Sequence, residues 1–449
     1  MASHINPNDT IVALSTPHGV GAIAVIRLSG NQTYPILQKC FRGKIHPSDT
    51  NELIYGHIYD GDNLVDEVVV ACFKSPKSFT KEDCAEISCH GSMFIQRKII
   101  TLLMHLGARA AAPGEFTQRA FLNGRFNLLQ AEAVADVIAS ESEAQLQLAM
   151  NQLKGGVSNQ LKEMRTQLID LTSLLELELD FGEEDVEFAN REQLLLTSQH
   201  IHQEIIRLMD TFQYGNAIKN GIGVAIVGPP NVGKSTLLNN LLQEDKAIVS
   251  DIAGTTRDVI EDTIVIDGIL FRFIDTAGIR DTLDVVESLG IERSKKMIDK
   301  AQIVLILFDH LIEKEFVSSI IEEVISKKKN FLLVRNKSDK FSEQIFKNEL
   351  AISALKHDNI QALKKRLVEI SATKASPLNA TLSNIRHYEA LKDASQSLIR
   401  VIDGIQSGLT MELIAQDLRT AIYHIGDITG EVTPDDILGN IFSKFCIGK

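Results

Sequence analysis

Gly228-Pro-Pro-Asn-Val-Gly-Lys-Ser235 is the stretch that decides the fold of this chain. It follows the short apolar run Val224-Ala-Ile-Val227 and precedes Thr236-Leu-Leu-Asn-Asn-Leu-Leu242, which reads as a helix. The octapeptide satisfies G-x-x-x-x-G-K-[ST] in the strand–loop–helix context that gives this motif its meaning. Backbone N–H groups of such a loop, with the helix N-terminus, hold phosphate oxygens. The residues expected around the phosphates are Asn231, Val232, Gly233, Lys234, Ser235 and Thr236. Lys234 is expected to reach the β- and γ-phosphates in a catalytic role, and the Ser235 hydroxyl to bind Mg²⁺.

Further motifs follow in order. Asp275-Thr-Ala-Gly278 closes the strand run Leu270-Phe-Arg-Phe-Ile274. Asp275 is expected to bind Mg²⁺ through water and the Gly278 amide to sense the γ-phosphate, with Thr276 and Ala277 in the same contact set. Asn336-Lys-Ser-Asp339 follows the strand run Phe331-Leu-Leu-Val334. The Asp339 carboxylate can accept from the guanine N1 and N2 donors, a pair that adenine lacks, so Asn336, Lys337 and Asp339 select GTP over ATP. Ser353 and Ala354 fit a second guanine contact. Thr255 and Thr256, in Ala253-Gly-Thr-Thr-Arg-Asp258, lie where the first switch is expected, and Thr256 is the expected Mg²⁺ ligand.

The catalytic water is the odd feature. Many such enzymes orient it with a glutamine just after the D-x-x-G glycine, and here that position is Ile279. Glu287, in the following segment, is a candidate replacement, or else a solvated residue at a helix start. Arg257 and Arg280 lie in the switch regions and read either as charge suppliers or as surface ion pairs. A bound monovalent cation is a third source of positive charge, and the Asn231 side-chain carbonyl suits a hard ion.

Around the nucleotide motifs the chain changes style. Its 449 residues suggest about two to four domains. Residues 1–120 mix β-rich runs with glycine turns, as in Thr10-Ile-Val-Ala-Leu14 and Val68-Val-Val-Ala-Cys-Phe73, and read as an α+β domain. Residues 121–215 carry apolar residues at helical spacing, among them Leu161, Met164, Leu168 and Leu175, and read as long packed helices. Residues 216–377 alternate apolar strands with amphipathic helices, as a Ras-like α/β domain does, and residues 378–449 are helical again. The economical reading is an α/β GTPase domain inserted into a helical domain. Formal net charge is −13, so bulk attraction will not coat the protein with nucleic acid. The first lysine or arginine is Arg27, no stretch is long and apolar enough for a membrane span, and the five cysteines make no disulfide framework. A reducing cytosol is the expected compartment.

Beyond these motifs the sequence resembles a known family over essentially its whole length. Asp9-Thr-Ile-Val12, Ser78-Phe-Thr80 with Glu82-Asp83, Pro113-Gly-Glu-Phe116, Arg119-Ala-Phe-Leu-Asn123, Gln130-Ala-Glu-Ala133, Gly290-Ile-Glu-Arg293 and Phe445-Cys-Ile-Gly-Lys449 are similar to segments of the bacterial tRNA-modification GTPases called MnmE or TrmE. The resemblance implies a homodimer formed through N-terminal domains that bind 5-formyl- or 5,10-methylene-tetrahydrofolate. It implies a FAD-containing partner, MnmG or GidA, in a heterotetramer that adds an aminomethyl-type group at carbon 5 of the wobble uridine of certain tRNAs. It also implies a K⁺-dependent hydrolase. Asn231 then matches a cation ligand, Ser250, Ile252 and Thr255 the loop around the ion, and Glu287 the group that positions the water. Arg27, Glu86, Arg125 and Lys449 fall on the family's folate positions, with Arg125 where a lysine is expected; Leu355 likewise stands in place of a lysine.

Other residues carry weaker signals. Cys446 reads as a catalytic thiol or a packing residue. Cys84, Cys89 and His90 lack metal-ligand spacing, and the thiols read as buried strand residues. Arg109, Arg119 and Arg125 suggest either an RNA-facing patch or ion pairs. Two competing functions are a regulatory GTPase of ribosome assembly and a folate-dependent transferase that acts without a partner.

Overall fold

The computed structural model describes residues 9–43, 53–180, 191–243, 262–274, 295–309, 314–341, 343–371, 381–432 and 435–443, with Phe445 and Gly448. Contacts divide the chain into two compact units. One joins Met1–Ile138, Gln152–His202 and Ala390–Lys449, and the other joins Ala139–Asn151 and Gln203–Glu389.

The first unit is built on a seven-stranded sheet of order β3-β4-β5-β6-β2-β1-β7. Its strands are β1 (Ile11–Leu14), β2 (Ile23–Ser29), β3 (Phe41–Arg42), β4 (Leu53–Asp60), β5 (Asn63–Phe73), β6 (Cys84–His90) and β7 (Arg109–Ala110). All neighbours are antiparallel except β1 and β7. Period-two alternation explains how this sheet buries one face. Ala24, Ile26 and Leu28 of β2, with Ala85, Ile87 and Cys89 of β6, enter the core, where α1 (Thr33–Cys40) contributes Ile36 and Leu37 and α2 (Met93–His105) contributes Ile99 and Leu103. The alternate residues Arg27, Cys84 and Glu86 therefore share the other face.

Helices complete this unit: α3 (Glu115–Leu122), α4 (Leu128–Ile138), α6 (Gly156–Asp180), α13 (Met411–Thr429) and α14 (Asp435–Phe442); α5 (Glu143–Leu153), α7 (Arg191–Asp210), α8 (Phe212–Asn220) and α12 (Ile385–Ser407) are further helices of the chain. Leu161, Leu168 and Leu175 on α6, and Ile414, Leu418, Ala421 and Ile425 on α13, form buried stripes at helical spacing. The two helices pack together, and Arg165 pairs with Glu431 and Arg419 with Glu176 across them. Gly448 packs so closely on β1 that an added Cβ would fall 2.1 Å from Leu14 O, at φ +94°. Only glycine fits there, and this seats the end of the chain against the sheet.

The second unit holds a six-stranded sheet of order β13-β12-β11-β8-β10-β9. Its strands are β8 (Ile222–Val227), β9 (Asp262–Ile266), β10 (Ile269–Phe273), β11 (Ile303–Phe308), β12 (Asn330–Arg335) and β13 (Leu350–Ala351). Every pairing is parallel except the β9–β10 hairpin. β8 and β11 are buried at every position, so they read as unbroken apolar runs. Helices α9 (Lys234–Gln243), α10 (Lys314–Ser326) and α11 (Ile360–Ser371) pack their apolar stripes on this sheet through Leu237, Leu241, Val317, Ile320, Leu363 and Leu367. Each such side chain, fully buried, stabilises the fold by about 1.5–3 kcal/mol. The fold class is thus α+β with an α/β P-loop domain and long helices, as the sequence predicts.

Candidate functional site

The phosphate loop joins β8 to α9 at the carboxyl end of the parallel sheet, where ligands of open α/β folds bind. Lys234 Nζ donates to the loop carbonyls of Gly228 at 2.8 Å and Pro229 at 2.7 Å. Asn231 has φ +61° and Gly233 φ +95°. A Cβ at Gly233 would lie 2.4 Å from Asn336 Nδ2, so this glycine admits the guanine-side asparagine. Ser235 and Thr236 open the first turn of α9. The Ser235 hydroxyl is an oxygen donor suited to Mg²⁺, which this residue would hold.

The guanine-side motifs meet that loop through buried polar contacts. Asn336 Nδ2 donates to Val232 O at 2.7 Å, and Asn336 Oδ1 accepts from Ala354 N at 2.9 Å. Lys337, at φ +60°, donates to Asn231 O at 2.8 Å and pairs with Asp309. The left-handed backbone at Asn231 and Lys337 costs on the order of 1 kcal/mol each. Ser353 Oγ donates to Asp339 Oδ1 at 2.7 Å, and this bond above all holds the exposed carboxyl below its usual range. Asp339 is thus kept as a hydrogen-bond acceptor. Leu355 is 74% exposed beside this loop.

Sequence reading missed Asp309 and Asn240. Asp309 is the acidic residue that ends the apolar strand β11 at the ligand end of the sheet, and that position was its signal. Asn240 donates its side-chain amide to Ala354 O, and nothing in the local sequence marks it. Ser250, Ile252, Thr255, Thr256, Asp275, Thr276, Ala277, Gly278 and Glu287 lie outside the described residues, as do Arg257 and Arg280.

A second candidate site lies in the first unit, a cavity of about 630 Å³ lined by Arg27, Ser78, Phe79, Cys84, Glu86 and Arg125 among others. Antiparallel register places Arg27 directly opposite Glu86. Arg27 Nε and Nη2 both donate to Glu86 Oε1, at 2.9 and 2.7 Å, and Nη1 reaches Gly448 O at 3.3 Å. The Arg125 guanidinium lies 4.9 Å from the ring centroids of both Phe79 and Phe126, and its Nη1 donates to Ser78 O at 2.8 Å. A planar guanidinium stacks on these rings in a way that a lysine ammonium does not. Burial, then the Arg27 charge, lowers the affinity of Arg125 for its proton. With Lys77 and Lys81 at the rim, the lining is cationic and favours an anionic ligand. Lys449 and Cys446 lie outside the described residues.

Three weaker signals resolve here. Arg119 is 2% exposed and buried between Glu115 at 3.0 Å and Glu82 at 3.2 Å, so it does not face RNA. Arg109 pairs with Asp9 and Glu115. Cys84 and Cys89 sit an odd number of residues apart on β6 and so point to opposite faces, which excludes a shared ion. Burial pushes the Cys84 thiol up to about 12 and the Cys89 thiol to about 11. His90 instead bonds Asp66 Oδ1 at 2.7 Å.

A Walker-type loop, an Asn-Lys-Ser-Asp motif beside it and a mostly parallel sheet define a P-loop GTPase, for which GTP and Mg²⁺ follow. The flanking segments narrow the class. The family model described as the MnmE helical domain matches residues 128–446, and that of the GTP-binding protein TrmE N-terminus matches residues 10–125. The tRNA modification GTPase MnmE of Cytophaga hutchinsonii is 50% identical over 454 residues, spanning 99% of this chain and 98% of that protein. The protein of that name from Flavobacterium johnsoniae is 51% identical over 463 residues, spanning 98% and 99%. The chain belongs to the MnmE/TrmE family of tRNA-modification GTPases. Among the described residues no helix is long and apolar enough to cross a membrane.

Proposed function

We propose that this GTPase acts as a K⁺-dependent homodimer in the cytosol. With an FAD-containing partner of the MnmG/GidA type it adds an aminomethyl or carboxymethylaminomethyl group at carbon 5 of the wobble uridine. Its chain divides into an N-terminal domain (1–120), a helical domain in two parts (121–215 and 378–449) and the GTPase domain (216–377). The observation that carries this reading is the cationic pocket, where Arg27, Glu86 and Arg125 converge in a chain that also has a GTP site.

A reduced folate fits the lining by chemistry. Arg27 and Arg125 complement its carboxylates, Phe79 offers an aromatic face for its pterin, and Glu86 accepts from ring N–H groups. Lys449, one residue past the Gly448 carbonyl that bonds Arg27, would add a further cation. The folate, when bound, supplies the one-carbon unit. These residues bind it, orient it and exclude water.

At the nucleotide, Lys234 and the loop amides neutralise the β- and γ-phosphates, while Ser235 and Thr256 would hold Mg²⁺. Asn231, with Ser250, Ile252 and Thr255, would hold K⁺, which would supply positive charge to the phosphates. Glu287 orients the attacking water that Ile279 cannot hold. GTP-driven closure of paired GTPase domains then gates the modifying site.

The test is mass spectrometry of wobble nucleosides in total tRNA from a strain lacking this gene, beside its parent. Loss of the C5-substituted uridines, restored on complementation, supports the proposal, and an unchanged profile refutes it. Equal hydrolysis rates in KCl and NaCl would remove the cation from the account.

A further inference from the structure

The Ala354 backbone is held at both of its polar groups. Its N–H donates to Asn336 Oδ1 at 2.9 Å, and its carbonyl accepts from the Asn240 side-chain amide. All three residues are buried, at 1, 3 and 6% exposure respectively. The preceding residue, Ser353, holds the guanine-reading Asp339 at 2.7 Å. Asn240 belongs to none of the nucleotide motifs. It lies on α9, six residues after the phosphate lysine Lys234. At about 1.5 Å of rise per residue, one helix carries the phosphate lysine and, roughly 9 Å further on, the amide that fixes the base-side loop. Leu237, Leu238 and Leu241 are fully buried and keep that helix from sliding on the sheet.

We infer that Asn240 is a positioning residue for guanine recognition. It fixes the distance between the phosphate loop and the Ser353-Ala354 loop. Asn336 accepts from the Ala354 N–H and donates to Val232 O of the phosphate loop at 2.7 Å, and this tie alone leaves the following Ala354–Leu355 peptide free to rotate. The Asn240 amide removes this freedom by holding the carbonyl of that following peptide. Without it the Ser353 hydroxyl shifts, and the Asp339 carboxylate shifts with it. Phosphate contacts do not pass through this tie, so its loss weakens guanine nucleotides and spares adenine nucleotides.

The test uses the full-length protein with Asn240→Ala and Asn240→Asp, the latter keeping the shape but losing the donor. A fluorescent guanine nucleotide is displaced by GDP and, at millimolar concentrations, by ADP. For both variants the GDP Kd rises roughly tenfold, the size expected when one buried carbonyl loses its donor. The ADP Kd changes less than twofold, so the preference for guanine falls by the same tenfold. A residue that served only to stabilise the fold would lower Tm and leave that preference intact. Should the alanine variant fail to fold, the aspartate variant decides. A GDP Kd within twofold of the parent, or equal weakening of GDP and ADP, overturns the inference.

Discussion

Replacing Arg119 with methionine tests the polar core of the first unit. Arg119 is 2% exposed and donates to Glu115 Oε1 at 3.0 Å, to Glu82 at 3.2 Å and to Asp9 O at 2.8 Å. Glu82 in turn accepts from Ser29 at 2.7 Å, and Ser29 bonds Thr80 at 2.6 Å. The cation therefore anchors the segment that carries Ser78 and Phe79 into the pocket. The Glu115 side chain is fully buried and Glu82 is 17% exposed, so methionine takes from the buried Glu115 one of its two arginine partners and leaves the mostly buried Glu82 without its own. Removing one partner of a buried pair costs about 3–5 kcal/mol. For a unit of this size that lowers Tm by roughly 6–20 °C. The sign of the pH dependence follows from Glu115. Burial opposes its ionisation, but Arg109's hydrogen bonds, the Ala112 amide and the Arg109 and Arg119 charges outweigh it and hold the carboxyl below its usual range. A depressed carboxyl contributes stability above its unfolded value of about 4.3, lost as pH falls through the folded one. The methionine penalty is thus largest near pH 7 and shrinks below about pH 4, where the unfolded carboxylate takes up its proton. The chain has no tryptophan, so melting is followed by circular dichroism and localised by hydrogen exchange in β6. A Tm within about 2 °C of the parent at pH 7 would show that the network contributes little net stability, and the reasoning fails.

Three further outcomes are expected. Arg125→Ala weakens reduced-folate binding by roughly tenfold or more, as loss of a charge-assisted contact does, with Arg125→Lys between the two; an unchanged Kd in calorimetry removes Arg125 from the site. Because the Ser353 hydroxyl keeps the Asp339 carboxyl low, GDP affinity holds as pH falls until that carboxyl protonates, and Ser353→Ala moves the loss to higher pH; identical pH profiles contradict the assignment. Burial raises Cys40 and Cys89 to about 11 and Cys84 to about 12, so iodoacetamide at pH 8 leaves all three unlabelled in the native protein; rapid alkylation of Cys84 by peptide mass spectrometry would disprove its burial.

The phosphate loop and the Asn336 to Asp339 loop are legible from local pattern alone. A phosphate loop works through consecutive backbone amides and the helix they open, so its function is written in eight adjacent residues, Gly228 to Ser235. The same holds for Asn336 to Asp339, and for β8 and β11, whose unbroken apolar runs announce buried parallel strands. Other features depend on packing between distant segments. Arg27 and Glu86 are 59 residues apart and meet only through the β2–β6 register, and a shift of one strand by one residue would turn its member of the pair to the other face. No local pattern separates the buried Arg119 from the half-exposed Arg109, because burial depends on which carboxylates the fold brings near. Asn240 looks like any polar helix residue until β12 and the loop after β13 place Ala354 against it, 114 residues away. Contacts within a few residues follow from local geometry, whereas contacts closed by the fold need the packing of the whole unit to become visible.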